Sequence, residues 1–305
     1  MLHIQLRTKR DPASVKAMVG RLAEPSDFGV LLTEDGTVFK PDGKRLVTLI
    51  RGGMSPWAAD AAYPFLHWLR RHKTTNRGNY AGDVRQHKVK EDGSLSKTSY
   101  ATAVRSSVAG AFDRYPRFPF CRETAVSTEK PEEWGACFPA IQEVARIFER
   151  HAPDRYRAQE AVAKQTHPAY VIPDTPFTTL TVNNCVAGAF HTDAGDYEPG
   201  FGCIAVLRRG HYSGCHLGFP AYGVAVDLQD RDVILFDPHE VHGNTPFRDA
   251  VGVEGVDWER ISVVFYYRQK MVDCLSPAEE LARAKQLRGA LEMPTLDNED
   301  AGEAQ

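Results

Sequence analysis

The chain has 305 residues, 42% of them apolar and 25% charged, with a formal charge of −3. That balance suits a globular chain with a sizeable core; it excludes a low-complexity segment, a disulfide-dense miniprotein and a protein that coats nucleic acid through overall positive charge. No apolar run approaches the roughly 18 residues of a bilayer helix, and the first ten residues lack a signal-peptide core, so a cytoplasmic protein is expected.

In chain order, residues 28–33 and 37–39 flank Asp35-Gly36, a turn signal that predicts a hairpin. Residues 46–50 add a strand. Ser55-Pro56 has cap-then-proline chemistry for a helix running to about residue 73, with Pro64 inside it and Trp57, Phe65, Trp68 and Leu69 as core candidates. A Gly/Asn-rich stretch, 74–82, reads as an ordered loop or flap. Tyr100, Val104, Val108 and Phe112 recur every four residues and predict a helix face. Another helix is expected over 139–151, burying Ile141, Val144 and Phe148. Between residues 70 and 122 stand twelve Lys and Arg against four Asp and Glu. A basic stretch on an acidic body fits local contact with phosphates, or simply a solvated face.

From residue 169 the pattern changes to short strands punctuated by Gly, Pro, Asn and Asp. Candidates are 177–182, 201–207, 223–228, 232–236 and 261–267. Such spacing predicts a double-sheet jelly roll. Ser276-Pro-Ala-Glu279 is a capping box that opens a helix to about residue 291, followed by an acidic, disordered tail. The expected organisation is a mixed α/β supporting region over 1–165, a β core over 166–275 and a C-terminal helix and tail over 276–305. Six cysteines without a Cys-x-x-Cys pair read as reduced thiols.

The chemistry is concentrated in that β core. His191-Thr-Asp193 is followed 49 residues after the aspartate by His242, and then by Arg260-Ile-Ser262 opening an apolar strand. Two imidazoles and one carboxylate on one face of Fe(II) leave positions open for a co-substrate and O₂. Residues two apart in an extended segment reach the same side, so His191 and Asp193 can share one ion. Arg260, Ser262, Val264 and Tyr266 alternate onto one face, where a guanidinium and a hydroxyl can grip the distal carboxylate of 2-oxoglutarate. His239 is a rival for His242, and a glycine turn is preferred to a zinc site at His211, Cys215 and His216. A cupin-like binding protein is the non-enzymatic alternative; the arginine argues against it.

Together with the block over 177–184, Asp196, Gly200-Phe-Gly202, Leu235-Phe-Asp237 and Val241-His-Gly-Asn-Thr-Pro246, these residues resemble the TET/J-binding-protein family, in its compact phage and bacterial form. The resemblance extends over about residues 70–271, including Asn76-Arg-Gly78 and Cys121-Arg-Glu-Thr124. It implies an α+β fold, a double-stranded β-helix (jelly roll, cupin-like) with flanking helices. It implies Fe(II) on His191, Asp193 and His242, 2-oxoglutarate on Arg260 and Ser262, and O₂ as oxidant. It also implies hydroxylation of the 5-methyl group of a pyrimidine in DNA, with 5-methylcytosine placed ahead of thymine and a peptide or small-molecule substrate as the alternative. Asp196 and Asn183 are base-contact candidates, and Arg77 and Asn76 are candidates for holding DNA. The setting implied is a bacterium or a phage-infected cell, with no membrane or protein partner evident. Two departures stand out: a polar insertion over 247–259 and Ser213-Gly214 where a glycine pair is common.

Overall fold

A computed structural model of the chain describes residues 2–291 apart from 76, 78–79, 81–85, 90–91, 93, 101–102, 116–117 and 253–256. Asn76 and the acidic tail therefore lie outside the described residues. The scaffold is a nine-stranded sheet in the order Leu2–Gln5, Gly36–Phe39, Arg45–Ile50, Val233–Phe236, Gly202–Arg209, Glu259–Tyr266, Thr179–Asn184, Ser106–Phe112 and Arg122–Glu123. A four-stranded sheet, Gly243–Asn244, Leu217–Phe219, Val224–Val226 and Val30–Leu32, packs on one face. The two sheets share a core in which Ile204, Val206, Ile234 and Phe236 meet Leu217, Phe219, Val224 and Val226.

Helices Pro56–Trp68 and Phe138–His151 cover the other face. Their Phe65, Ile141, Val144 and Phe148 pack with Leu180, Val182, Cys203, Ala205, Val263 and Phe265. Ile141, Val144 and Phe148 are 1% exposed or less, and burying each stabilises by about 1.5–3 kcal/mol. Ser55 caps the first of these helices through its hydroxyl on the Ala58 amide, as its position before Pro56 suggests. With helices outside and two sheets enclosing a cavity, the architecture is the expected α+β double-stranded β-helix. Among the described residues no helix is long and apolar enough to cross a membrane.

Four expectations are corrected. Tyr100 ends the strand Leu95–Tyr100, and Val108 and Phe112 lie in the strand Ser106–Phe112, in place of a helix. All seven residues of the second strand are buried, because it lies between Thr179–Asn184 and Arg122–Glu123 with both faces covered. A strand of that kind shows no alternation, so its spacing by four carries no helical meaning. The stretches around Asp35-Gly36 do not pair with each other. Val30–Leu32 runs parallel to Val224–Val226 in the small sheet, while Gly36–Phe39 pairs with Arg45–Ile50 in the large one. Trp57, at the solvent-facing start of its helix, is 66% exposed and is no core residue. Finally, Cys121 and Cys274 form a disulfide, and only Cys137, Cys185, Cys203 and Cys215 are free.

Candidate active site

His191 and His242 are brought together by a two-residue antiparallel bridge. The His191 amide donates to the His242 carbonyl at 2.9 Å, and the His242 amide donates back at 3.0 Å. Their imidazoles lie 4.4 Å apart, centroid to centroid. Each ring is oriented by its own carbonyl: Nδ1 of His191 on Ala189 and Nδ1 of His242 on Glu240, both at 2.8 Å. Donation from Nδ1 leaves each Nε2 as a lone-pair donor, the tautomer a metal requires. Both Nε2 atoms sit 3.5 Å from an oxygen of Asp193. The ligand atoms of the three residues lie within 4.8 Å of one another, so one ion can bind all three. The enclosed setting would raise the Asp193 pKa, but the two imidazoles against it outweigh that and hold the carboxyl well below its usual range. His239 faces Asp237 instead and is not part of this cluster.

These groups line a cavity of about 380 Å³, whose far wall is the strand Glu259–Tyr266. Arg260, Ser262, Val264 and Tyr266 all face it, as alternation predicts. Arg260 is 3% exposed, its Nε has no hydrogen-bond partner among the described residues, and the groups that act most on its charge are Cys215, Tyr212, Tyr80 and Cys185. A buried guanidinium without a counter-charge is costly unless a ligand supplies one. The donor set and the orphaned guanidinium together fit Fe(II) with a dicarboxylic keto acid.

The side of the cavity away from Arg260 is polar. Asp196 is 7% exposed; burial, then the nearby Asp193 charge, raise its carboxyl well above the usual range against the pull of Arg268. Arg268 bridges to Asp196 through the backbone, donates from Nε to Asp113 at 2.7 Å, and rests its guanidinium 4.0 Å over the Phe112 ring. Asn183 is buried and accepts a 2.6 Å hydrogen bond from Ser106, whose hydroxyl also accepts from Arg77 Nε at 2.9 Å. Arg77 therefore stands in the cavity wall, and its second terminal nitrogen is buried without a partner among the described residues. Tyr80 packs edge-on against His191 at 4.9 Å. Gly188 permits this approach, since a Cβ there would lie 2.4 Å from the Tyr80 ring.

Arg268, Tyr80 and Thr181 were missed by sequence reasoning. Arg268 had a legible signal: counting on by two from Arg260 past Tyr266 reaches it. The basic stretch is split. Arg70, Arg71, Lys73 and Arg105 are exposed, whereas Arg114 pairs with Glu280 and Arg122 sits 4.4 Å over Phe118.

Residues 108–269, more than half of the chain, match Tet_JBP, the oxygenase domain of the 2OGFeDO superfamily. The chain belongs to the Tet_JBP family. A Tet_JBP domain is an oxidoreductase of the 2-oxoglutarate- and Fe(II)-dependent dioxygenase class, with O₂ as co-substrate. Among proteins similar to this one, thymine dioxygenase JBP1 of Leishmania major is 38% identical over 188 residues, covering 59% of this chain and 22% of that protein. Thymine dioxygenase JBP1 of Trypanosoma brucei brucei is 36% identical over 222 residues, covering 68% and 26%. The chain thus spans about a quarter of the length of these relatives. The structure of NgTET1 in complex with 5mC DNA matches with a TM-score of 0.54 and 11% identity, over 91% of this chain and all of that one. That likeness speaks for the shared fold.

Proposed function

We propose that this Tet_JBP chain hydroxylates the 5-methyl group of a pyrimidine in DNA. His191, Asp193 and His242 would hold Fe(II), and Arg260 with Ser262 would hold the distal carboxylate of 2-oxoglutarate. The observation that carries the reading is the convergence of three candidate metal-ligand atoms beside a buried arginine that has no carboxylate partner among the described residues. When bound, iron and the keto acid supply oxidative decarboxylation driven by O₂ and transfer of one oxygen atom to a methyl group. The protein's own work is to fix the ligands, exclude water and hold the base.

A base within a duplex cannot reach such a cavity, so it must be flipped out at a cost of a few kcal/mol. Exposed Arg70, Arg71, Lys73 and Arg105 are suited to offset that cost on the phosphates. Asp196 and Arg268 set a carboxyl beside a guanidinium donor, a pair suited to the polar edge of either thymine or 5-methylcytosine. Arg77 and Asn183 complete that wall. The choice of base rests on the relatives. The sequence expectation put 5-methylcytosine first, but the relatives at 36–38% identity are named thymine dioxygenases, and we place thymine ahead. In this reading residues 166–275 form the catalytic core, 1–165 support it, and 276–305 add the C-terminal helix and tail.

The test is nucleoside mass spectrometry after aerobic incubation with ferrous salt, 2-oxoglutarate and two duplexes, one with thymine and one also with 5-methylcytosine. 5-Hydroxymethyluracil from both supports thymine, and 5-hydroxymethylcytosine from the second alone reverses the order. No oxidised base in either, with succinate formation unaffected by DNA, would refute a DNA substrate.

A further inference from the structure

The loop that leads into His242 holds the candidate metal site in two places. The Pro238 carbonyl accepts the Asp193 amide at 3.0 Å, and the Glu240 carbonyl accepts His242 Nδ1 at 2.8 Å. The same loop carries two carboxylates, Asp237 and Glu240, and both converge on one ammonium. Lys40 Nζ lies 2.9 Å from Asp237 Oδ2 and 3.0 Å from Glu240 Oε1, with the lysine and Asp237 side chains only 12% and 13% exposed. Lys40 directly follows the strand Gly36–Phe39. The partner strand of that hairpin, Arg45–Ile50, pairs with Val233–Phe236, and the Asp237 amide donates to Leu46 at 2.9 Å. The lysine is thus held by the sheet itself at the point where the loop leaves it. Tyr222 adds one more hydrogen bond to Glu240, at 2.9 Å.

We infer that Lys40, outside the matched stretch 108–269, is a positioning residue for the metal centre. Its ammonium keeps two like charges together and so fixes the one loop shape in which Pro238 and Glu240 can orient Asp193 and His242. Without it the two carboxylates repel across a half-buried gap, and the carbonyls that orient the ligands lose their reference. Groups that orient metal ligands from behind are typically worth about 10–100-fold in metal affinity. This inference rests on the iron site proposed above.

The experiment is anaerobic titration of the full chain with Mn(II), by calorimetry and by the metal-induced shift in melting temperature. Lys40→Met should weaken Mn(II) binding by about 10–100-fold. Lys44→Met should leave it unchanged, since the Lys44 side chain is 65% exposed and pairs with Asp42. Should Lys40→Met fail to fold, Lys40→Gln, which keeps a donor but no charge, carries the same comparison. Affinity within twofold of wild type in a folded Lys40 variant would overturn the inference. So would a lower melting temperature with an unchanged Mn(II)-induced shift, which marks a strut of the fold and nothing more. If the wild type itself takes up no Mn(II), the proposed iron site fails; if it does and the Lys40 variant matches it, only this inference fails.

Discussion

Replacing Arg260 separates the ligand-holding role from a structural one, because the two predict opposite signs. Arg260 is 3% exposed, and among the described residues its Nε has no partner and its guanidinium pairs with no carboxylate. If its counter-charge is the distal carboxylate of 2-oxoglutarate, Arg260→Met removes one partner of a buried ion pair, which costs about 3–5 kcal/mol. At 1.4 kcal/mol per decade, 2-oxoglutarate should bind roughly 150- to 4,000-fold more weakly. The ligand-free protein should not suffer: exchanging an unpaired buried charge for an apolar chain of similar length is neutral or stabilising. Arg260→Lys keeps the charge but loses the fork, and the loss of one charge-assisted bond, about 1.5–3 kcal/mol, predicts a weakening of roughly 10- to 150-fold. The assay is anaerobic calorimetry of 2-oxoglutarate binding to the Mn(II)-loaded protein, beside thermal melts of the ligand-free forms. Unchanged keto-acid affinity in a folded Arg260→Met protein would refute the reasoning, as would a ligand-free melting temperature that collapses.

Three further outcomes are expected. Asp193→Ala should abolish Mn(II) uptake while far-UV circular dichroism stays unchanged, and metal binding at wild-type affinity would remove the carboxylate from the ligand set. Arg268→Met should lower kcat/KM for the DNA substrate by roughly 10- to 150-fold, the worth of a charge-assisted hydrogen bond, with 2-oxoglutarate affinity unmoved; Asp113→Asn should act in the same direction, more weakly. A matching loss of keto-acid binding in steady-state and calorimetric data would contradict that assignment. Glu280, 1% exposed, would be pushed up by burial, but hydrogen bonds from Arg114 and from the Leu275 and Cys121 amides lower its pKa below the ordinary 4.5. A depressed carboxyl stabilises the fold above its unfolded pKa, and that contribution is lost as pH falls through the folded value. Acid titration followed by circular dichroism should therefore show a steeper loss below about pH 4.5 in wild type than in Glu280→Gln.

What could be read from the sequence follows the range of the interactions. Ser55-Pro56 and Ser276-Pro277 announced helices because a cap and its proline act within one turn. The strands after residue 169 were legible because turn residues bound them. The convergence of His191, Asp193 and His242 was legible because their order along the chain suits one ion. Val30–Leu32 was not, since its partner Val224–Val226 lies far along the sequence and parallel pairing leaves no local turn to read. The same holds for Cys121 and Cys274, 153 residues apart. Ser106–Phe112 was misread because full burial erases the alternation by which a strand is recognised. Tyr80 left no signal: its place against His191 depends on the space above Gly188, which only the folded backbone creates.

The order of strands in the large sheet bears on how the chain can be shortened. Trimming to 108–269 would delete Leu2–Gln5, Gly36–Phe39 and Arg45–Ile50, all three strands beyond Val233–Phe236. Val233–Phe236, four apolar residues that are fully buried, would then become a bare rim with open amides and carbonyls, a template for self-association. An expression fragment defined by homology alone is thus expected to precipitate, and fragments meant for crystallography or assay should keep all three of those strands.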